Sequence, residues 1–359
     1  MRNASHRFAG CAARASAACA LAAACACSTR DPYDDLLWYY RPEPGSVIVP
    51  REQHGPRSLA MFHGTDGAPI DWNGLWNGVR WADIVIVGEQ HDDANAHEVQ
   101  QAIWAETIAA WPGSAVSLEM LERDEQATVD AYLAGEIDAA TFVERTDSRD
   151  WASKGTWDDF YQPVIDEAKA AKAPVIAANA PREYVRRART EGYEVLAALP
   201  ADERALFAIP AKDPPASYRD RFRDFMSGGG EREVDEARVD EVLRSQRMWD
   251  ATMADSIVRA YKRLPSHAKV VHLVGQFHSE YDGGLVSEIQ ARAPGAKVLT
   301  VTVQKGMARA LREEDRGKAD VVVYGVAPRL RWTGFQAGLK PPAEERPAEE
   351  EAPAWGFAY

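Results

Sequence analysis

The sequence predicts an α/β domain of three layers, with a mainly parallel central sheet and helical insertions. Three observations predict it. The chain has 359 residues and is 46% hydrophobic, enough for one large core or two small ones. Between about residues 80 and 325, short β-branched runs alternate with longer stretches of helical spacing. The runs are apolar on both faces, as strands are when helices cover both sides of a parallel sheet.

Taken in order, the first segment stands outside that fold. Residues 1–24 contain Arg2, Arg7 and Arg14 and no acid, then the alanine-rich Ala15–Ala24, and they end at Cys25. A basic start followed by a short apolar run and small residues describes a secretory signal. The run is too short for a membrane-spanning helix. Leu21-Ala22-Ala23-Ala24-Cys25 is similar to a bacterial lipobox, whose cysteine is lipidated after cleavage. Cys25 is the expected anchor, with Cys27 as a second candidate and plain secretion as the alternative. Acyl chains would hold the chain to a membrane through their buried methylenes. All four cysteines lie at or before Cys27, so the body has none to form a structural disulfide or a thiol nucleophile. Residues 25–60 read as a tether and lead-in.

The expected strands are Ile84–Val87, Ala115–Leu118, Pro174–Ala178, Val270–Val274, Val298–Val303 and Val321–Tyr324. Helical stretches fall between them, roughly at 94–110, 123–134, 160–171, 183–198, 236–263 and 284–292. The stretches 135–160 and 200–232 read as insertions over the sheet. They carry Trp151, Trp157 and Phe160 in one, and Pro210, Pro214, Pro215 and Gly228-Gly229-Gly230 in the other. Val239, Val242, Leu243, Met253 and Ile257 form a stripe at helical spacing. A core-facing stripe is the plain reading, and the wall of a ligand pocket the sharper one. The domain is expected to span 61–327. Residues 328–359 are Pro- and Glu-rich without apolar period beyond 340, and read as a disordered acidic tail.

The chemistry concentrates at strand ends, where parallel sheets bind ligands. The first strand runs into Gly88-Glu89-Gln90-His91-Asp92, and a later one into Gly275-Gln276-Phe277-His278-Ser279. Both strands therefore end in Gly-x-x-His. A third strand delivers Glu119, and a fourth Asn179 and Arg182. Two imidazoles and carboxylates on one edge suit either a divalent metal or a hydrogen-bonded cluster. His272, inside a strand, reads as a satisfied buried histidine. Asp92 or Asp93 suits the cap of the next helix better than His91 does. No Gly-x-Ser-x-Gly elbow and no Gly-rich phosphate loop follows a strand. A net charge of −13 speaks against a nucleic-acid partner.

Five segments together carry a family resemblance. They are Val87–Asp92, Ser117–Glu122, Trp157–Tyr161, Pro174–Arg182 and Val271–Ser279. Over roughly residues 60–290 the chain resembles the ChaN family, iron-regulated bacterial lipoproteins of the haem-binding-uptake/Tiki superfamily. The resemblance implies an α/β domain anchored to the outer membrane on its periplasmic or surface side. It also implies that the domain binds haem, with a homodimer covering cofacial haems. Tyr161 and Tyr184 are then candidates for the iron, Arg182 for haem propionates, and Met253 for the apolar surface. The superfamily also includes Tiki and TraB proteins, which implies the alternative of a metal-dependent hydrolase. There His91, Glu119 and His278 would hold Mn, Co or Zn and Glu89 would activate a water.

Overall fold

The computed structural model describes residues 55–152 and 154–325. The signal, Cys25, most of the tether and the acidic tail lie outside the described residues. No described helix is long and apolar enough to cross a membrane.

Eight strands form one sheet: β1 (Ala60–His63), β2 (Pro69–Ile70), β3 (Ile84–Glu89), β4 (Ala115–Glu122), β5 (Val175–Asn179), β6 (Val270–Gly275), β7 (Val298–Gln304) and β8 (Val321–Tyr324). Their spatial order is β2-β1-β8-β7-β3-β6-β4-β5. The six strands from β8 to β5 are parallel, while β1 and β2 add an antiparallel edge. The six expected strands are all present. The edge pair is an addition to the sequence reading, because four residues of Ala-Met-Phe-His show no alternation long enough to detect.

The chain moves from β3 outward to β4 and β5, then returns to place β6 between β3 and β4. It then continues on the far side of β3 with β7 and β8. Since crossovers between parallel strands are right-handed, a reversal of direction switches the face that receives the helices. The first-direction helices are α2 (Ala94–Ala110), α3 (Gln126–Ala134), α4 (Ala139–Arg145), α5 (Trp157–Phe160) and α6 (Gln162–Ala171). They follow α1 (Trp72–Trp81) and pack with it on the face carrying Val85, Val87, Val116, Leu118 and Leu273.

The return passes through α7 (Arg182–Glu191), α8 (Tyr193–Ala197), α9 (Ala201–Arg204), α10 (Ala216–Met226) and the 28-residue α11 (Glu236–Arg263). After β6 come α12 (Gln276–Ser279) and α13 (Gly284–Arg292). The long α11 sets Met253 and Ile257 against Ile84, Ile86 and Val270, with Leu285 and Ile289 beside them. Burying each such aliphatic side chain contributes roughly 1.5–3 kcal/mol. The two anticipated insertions contain the short helices α4 and α5 in one and α9 and α10 in the other, with turns and loops between them.

Candidate functional site

At the reversal between β3, β4 and β6, three strand ends meet. Gly275, the last residue of β6, marks the centre. A methyl group built on it would lie 2.8 Å from His91 Cε1, 3.1 Å from His91 Nε2 and 3.4 Å from Glu119 Oε2. Glycine is required there because both side chains close over its Cα. His91 and Glu119 thus share one hollow. His278 Nε2 is 3.4 Å from Glu119 Oε1. The structure brings together the three residues that the strand-end pattern pointed to.

Each is held by a different device. His91 leaves β3 two residues after Glu89, and its Nδ1–H donates to Glu89 Oε1 over 2.8 Å. Glu89 is 1% exposed. The same oxygen accepts the Tyr161 hydroxyl at 2.6 Å, and Oε2 lies 3.3 Å from His97 Nδ1. His97 Nε2–H donates to the His91 carbonyl. With Nδ1 committed, the His91 lone pair belongs to Nε2, on an imidazole whose side chain remains 33% exposed. Burial works against its protonated form, but the hydrogen bond to Glu89 and the charges of Glu119 and Glu89 raise its pKa above the ordinary value. The Trp151 ring meets it edge-on, with centroids 4.7 Å apart. Asp93, not His91, caps α2 by accepting the Asn95 N–H.

Glu119 sits where β4 loses its pairing with β6, which ends at Leu118↔Leu273. The pairing of β4 with β5 is irregular between Leu118 and Glu122. That release lets the carboxylate turn across to β6, where Oε2 accepts the Gly275 N–H at 2.5 Å. Burial opposes its charge, yet His278, His91 and the Gly275 N–H hold its pKa at about 2.

His278 is sealed on the other side. Its Nδ1–H donates to Asp250 Oδ1 at 2.6 Å, and Asp250 Oδ2 accepts the hydroxyl of Tyr218. The Gln246 amide lies 3.1 Å from its Nε2. Burial disfavours the imidazolium, but Asp250 and Glu119 outweigh it and lift the pKa to about 10. Tyr218, Asp250, His278 and Glu119 therefore form a buried relay whose two carboxylates favour the imidazolium. Asp250 leaves no room for a side chain at Gly284, where an added methyl would overlap Oδ2.

Asp250, Gln246, Tyr218 and His97 were not among the sequence candidates. Gln246 and Asp250 occupy positions that continue the α11 stripe between Leu243 and Met253, and polar residues in a core stripe were the available signal. His272 is fully buried, with Nδ1 3.0 Å from the Ser117 hydroxyl, and burial lowers its pKa to about 3.

Other expected binding residues lie elsewhere or face inward. Tyr161 touches the site but is 0% exposed, and burial together with Glu89 raises its pKa well above the ordinary value. Its hydroxyl is directed inward, donating to Glu89. Tyr184 packs with Phe207 and Met248 in a separate cluster, its hydroxyl directed at Glu203. Met253 is fully buried in the core between α11 and the sheet and offers no open surface. Arg182 follows β5 on the same sheet edge, with its guanidinium 66% exposed and 3.4 Å from Glu122.

The divalent-metal alternative is not supported. Among the described residues no group of three or more His, Cys, Asp or Glu is arranged to hold a metal ion. In this arrangement His278 Nδ1 is engaged by Asp250, and Glu119 Oε2 accepts the Gly275 N–H. Glu89, the expected base of a hydrolase, has Oε1 engaged by two donors, while its Oε2 is buried without a hydrogen-bond partner among the described residues.

Comparison with known proteins supplies the family. The model for "Haem-binding uptake, Tiki superfamily, ChaN" matches residues 75–289. The chain belongs to the ChaN family. Among solved structures, ChaN of Campylobacter jejuni, described as binding haem cofacially, is 19% identical. The match covers 75% of this chain and 97% of that one, with a TM-score of 0.57, and it shows the shared fold. An erythromycin esterase mutant, EreC, in its open conformation is 13% identical over 73% of this chain and 82% of its own, with a TM-score of 0.38. A succinoglycan biosynthesis protein is 11% identical over 64% and 68%, with a TM-score of 0.37. Both are too remote to carry an argument. No curated protein matches the chain.

Proposed function

We propose that this ChaN-family protein is a lipid-anchored haem-binding protein of bacterial haem and iron uptake, and that His91 is its iron ligand. Membership of a haem-binding family supports the ligand. The observation that carries the residue is the pairing of His91 Nδ1–H with a buried Glu89, on an imidazole whose side chain is a third exposed. A carboxylate on the far nitrogen fixes the tautomer, raises the basicity of Nε2 and orients the ring, as for histidines that ligate metals. Haem, when bound, supplies an iron that accepts this lone pair and a flat apolar face suited to Trp151. Arg182, exposed on the same strand-end edge, is the guanidinium for a propionate. The cofacial arrangement described for the Campylobacter protein makes a homodimer the matching assembly.

Titrating the full chain with hemin tests the reading. A protein-dependent Soret band is expected, displaced from free hemin and lost in His91→Ala, while Tyr184→Phe leaves it unchanged. A band identical to free hemin would remove the haem reading. A displaced band that survives His91→Ala would keep haem but move the iron to another ligand. Anchoring at Cys25 is checked separately, by incorporation of labelled palmitate that Cys25→Ala abolishes.

A further inference from the structure

A second concentration of charge lies beside α11, built from residues outside the strand-end cluster. A cavity of about 250 Å³ is lined by Arg123, Arg204, Arg259 and Arg292, with Asp255 and Phe207 among its walls. Such a concentration of guanidinium groups is unexpected in a chain whose net charge is −13. The four arginines come from four separate elements: the turn after β4, α9, α11 and the end of α13. Folding must bring them together against their mutual repulsion, and Asp255 is the group that permits it. Its carboxylate is 2.7 Å from Arg123, 3.6 Å from Arg259 and 3.9 Å from Arg292. Glu288 neutralises a further part of Arg292 at 3.0 Å. Four cations against two carboxylates leave the cavity positive.

The donors show the same excess. Arg123 is spent on protein acceptors: Ser256, the Thr252 and Ala205 carbonyls and Asp255. A network built only for stability would end there. Arg204 instead lies over the Phe207 ring at 4.8 Å, and its Nη1 is buried without a hydrogen-bond partner among the described residues. The Nε of Arg292 is buried and unpartnered as well. Arg259 remains half-exposed at the mouth, with a side-chain exposure of 51%. Buried donors without acceptors are costly, and an anion with several oxygens is the species that relieves them.

We propose that this cavity is a phosphate-binding site that takes a terminal phosphate group, either free inorganic phosphate or the phosphomonoester of a lipid headgroup. Guanidiniums arriving from several directions match a tetrahedral dianion better than a flat carboxylate, which a single fork satisfies. None of the lining residues belongs to the strand-end cluster, so the inference stands independently of the haem reading.

Equilibrium dialysis of the full chain against labelled inorganic phosphate in 150 mM chloride, on the order of physiological ionic strength, tests it. One saturable site per chain is expected, weakened about tenfold or more in Arg204→Gln and in Arg259→Gln. Arg259 is half-exposed, so its variant should keep the wild-type near-UV circular dichroism and separates lost binding from lost folding. Flotation with phosphatidylcholine vesicles containing phosphatidic acid distinguishes the two sources. Flotation that free phosphate competes away assigns a lipid headgroup, whereas dialysis binding without flotation assigns the free ion. Absence of both, equal binding of acetate, or binding unchanged in both variants would overturn the proposal.

Discussion

The two Gly-x-x-His segments place two imidazoles at neighbouring strand ends, yet the surroundings give them different chemistry. His91 shares its Nδ1–H with one buried carboxylate and stays a third exposed. His278 is clamped between Asp250 and Glu119 and is held cationic with a pKa of about 10. The spacing fixes where a ring goes. Whether that ring can give a lone pair depends on the carboxylates that other elements bring to it. Of the two, His91 is the more exposed, while His278 is closed in between its carboxylates.

The sharpest way to break this contrast is to remove the partner on the sealed side. Asp250→Ala leaves a buried imidazolium facing only Glu119 and strands the Tyr218 hydroxyl. Truncating one member of a buried pair costs about 3–5 kcal/mol. Urea denaturation should show that loss, and Asp250→Asn, which keeps an acceptor, should lose less. A loss under about 1 kcal/mol, the range of an exposed pair, would mean that His278 is not held as described.

On the open side the corresponding change should act on binding and spare the fold. Glu89→Gln keeps an oxygen for Tyr161 and His91 but removes the charge that makes Nε2 basic. Hemin affinity is expected to fall about 10–100-fold, the usual effect of losing a partner behind a metal-ligating histidine. Circular dichroism should stay that of the wild type. An unchanged hemin isotherm would show that Glu89 does not tune the ligand.

The same contrast shows what could be read in advance. The six parallel strands were legible because β-branched apolar runs are long enough to register, as was α11 through its stripe at helical spacing. Helix α1 was missed because Trp72–Trp81 carries Gly74 and Gly78, both poor helix formers. It forms because Asp71 caps it, accepting the Gly74 N–H at 2.9 Å. At the site, His91, Glu119 and His278 were legible as strand-end residues. Their charges were not, because Asp250 lies 28 residues before His278 and reaches it only through the packing of α11. Tyr161 stood in a motif of the family, but nothing in its neighbours signals that its hydroxyl turns inward to Glu89.

The pH dependence of stability separates the members of the sealed relay. The ordinary histidine value is 6.5 and that of His278 is about 10. Its contribution is therefore complete below pH 6.5 and declines as pH rises towards 10, since the native state then binds the extra proton. Glu119 is lowered from 4.5 to about 2, so its contribution is complete above pH 4.5 and declines as pH falls towards 2. Denaturant midpoints should form a plateau between about 4.5 and 6.5 from this pair. His278→Gln should flatten the alkaline decline while leaving the more distant carboxylates to act at low pH. An alkaline limb as steep as that of the wild type would assign it to other groups.

The smallest expected effect tests how far the open side extends. Arg182 pairs with Glu122 at 3.4 Å across an exposed surface, where such bridges contribute about 0–1 kcal/mol. Arg182→Ala should therefore barely change the denaturation midpoint. If its guanidinium receives a haem propionate, the same substitution weakens hemin binding several-fold and makes that binding less sensitive to salt, because one partly screened charge pair is lost. Methyl-esterified hemin supplies the control: it should bind the wild type and Arg182→Ala alike. An equal loss for the free acid and the ester would place the effect in the shape of the β5 edge, and the ligand surface around His91 would then end short of Arg182.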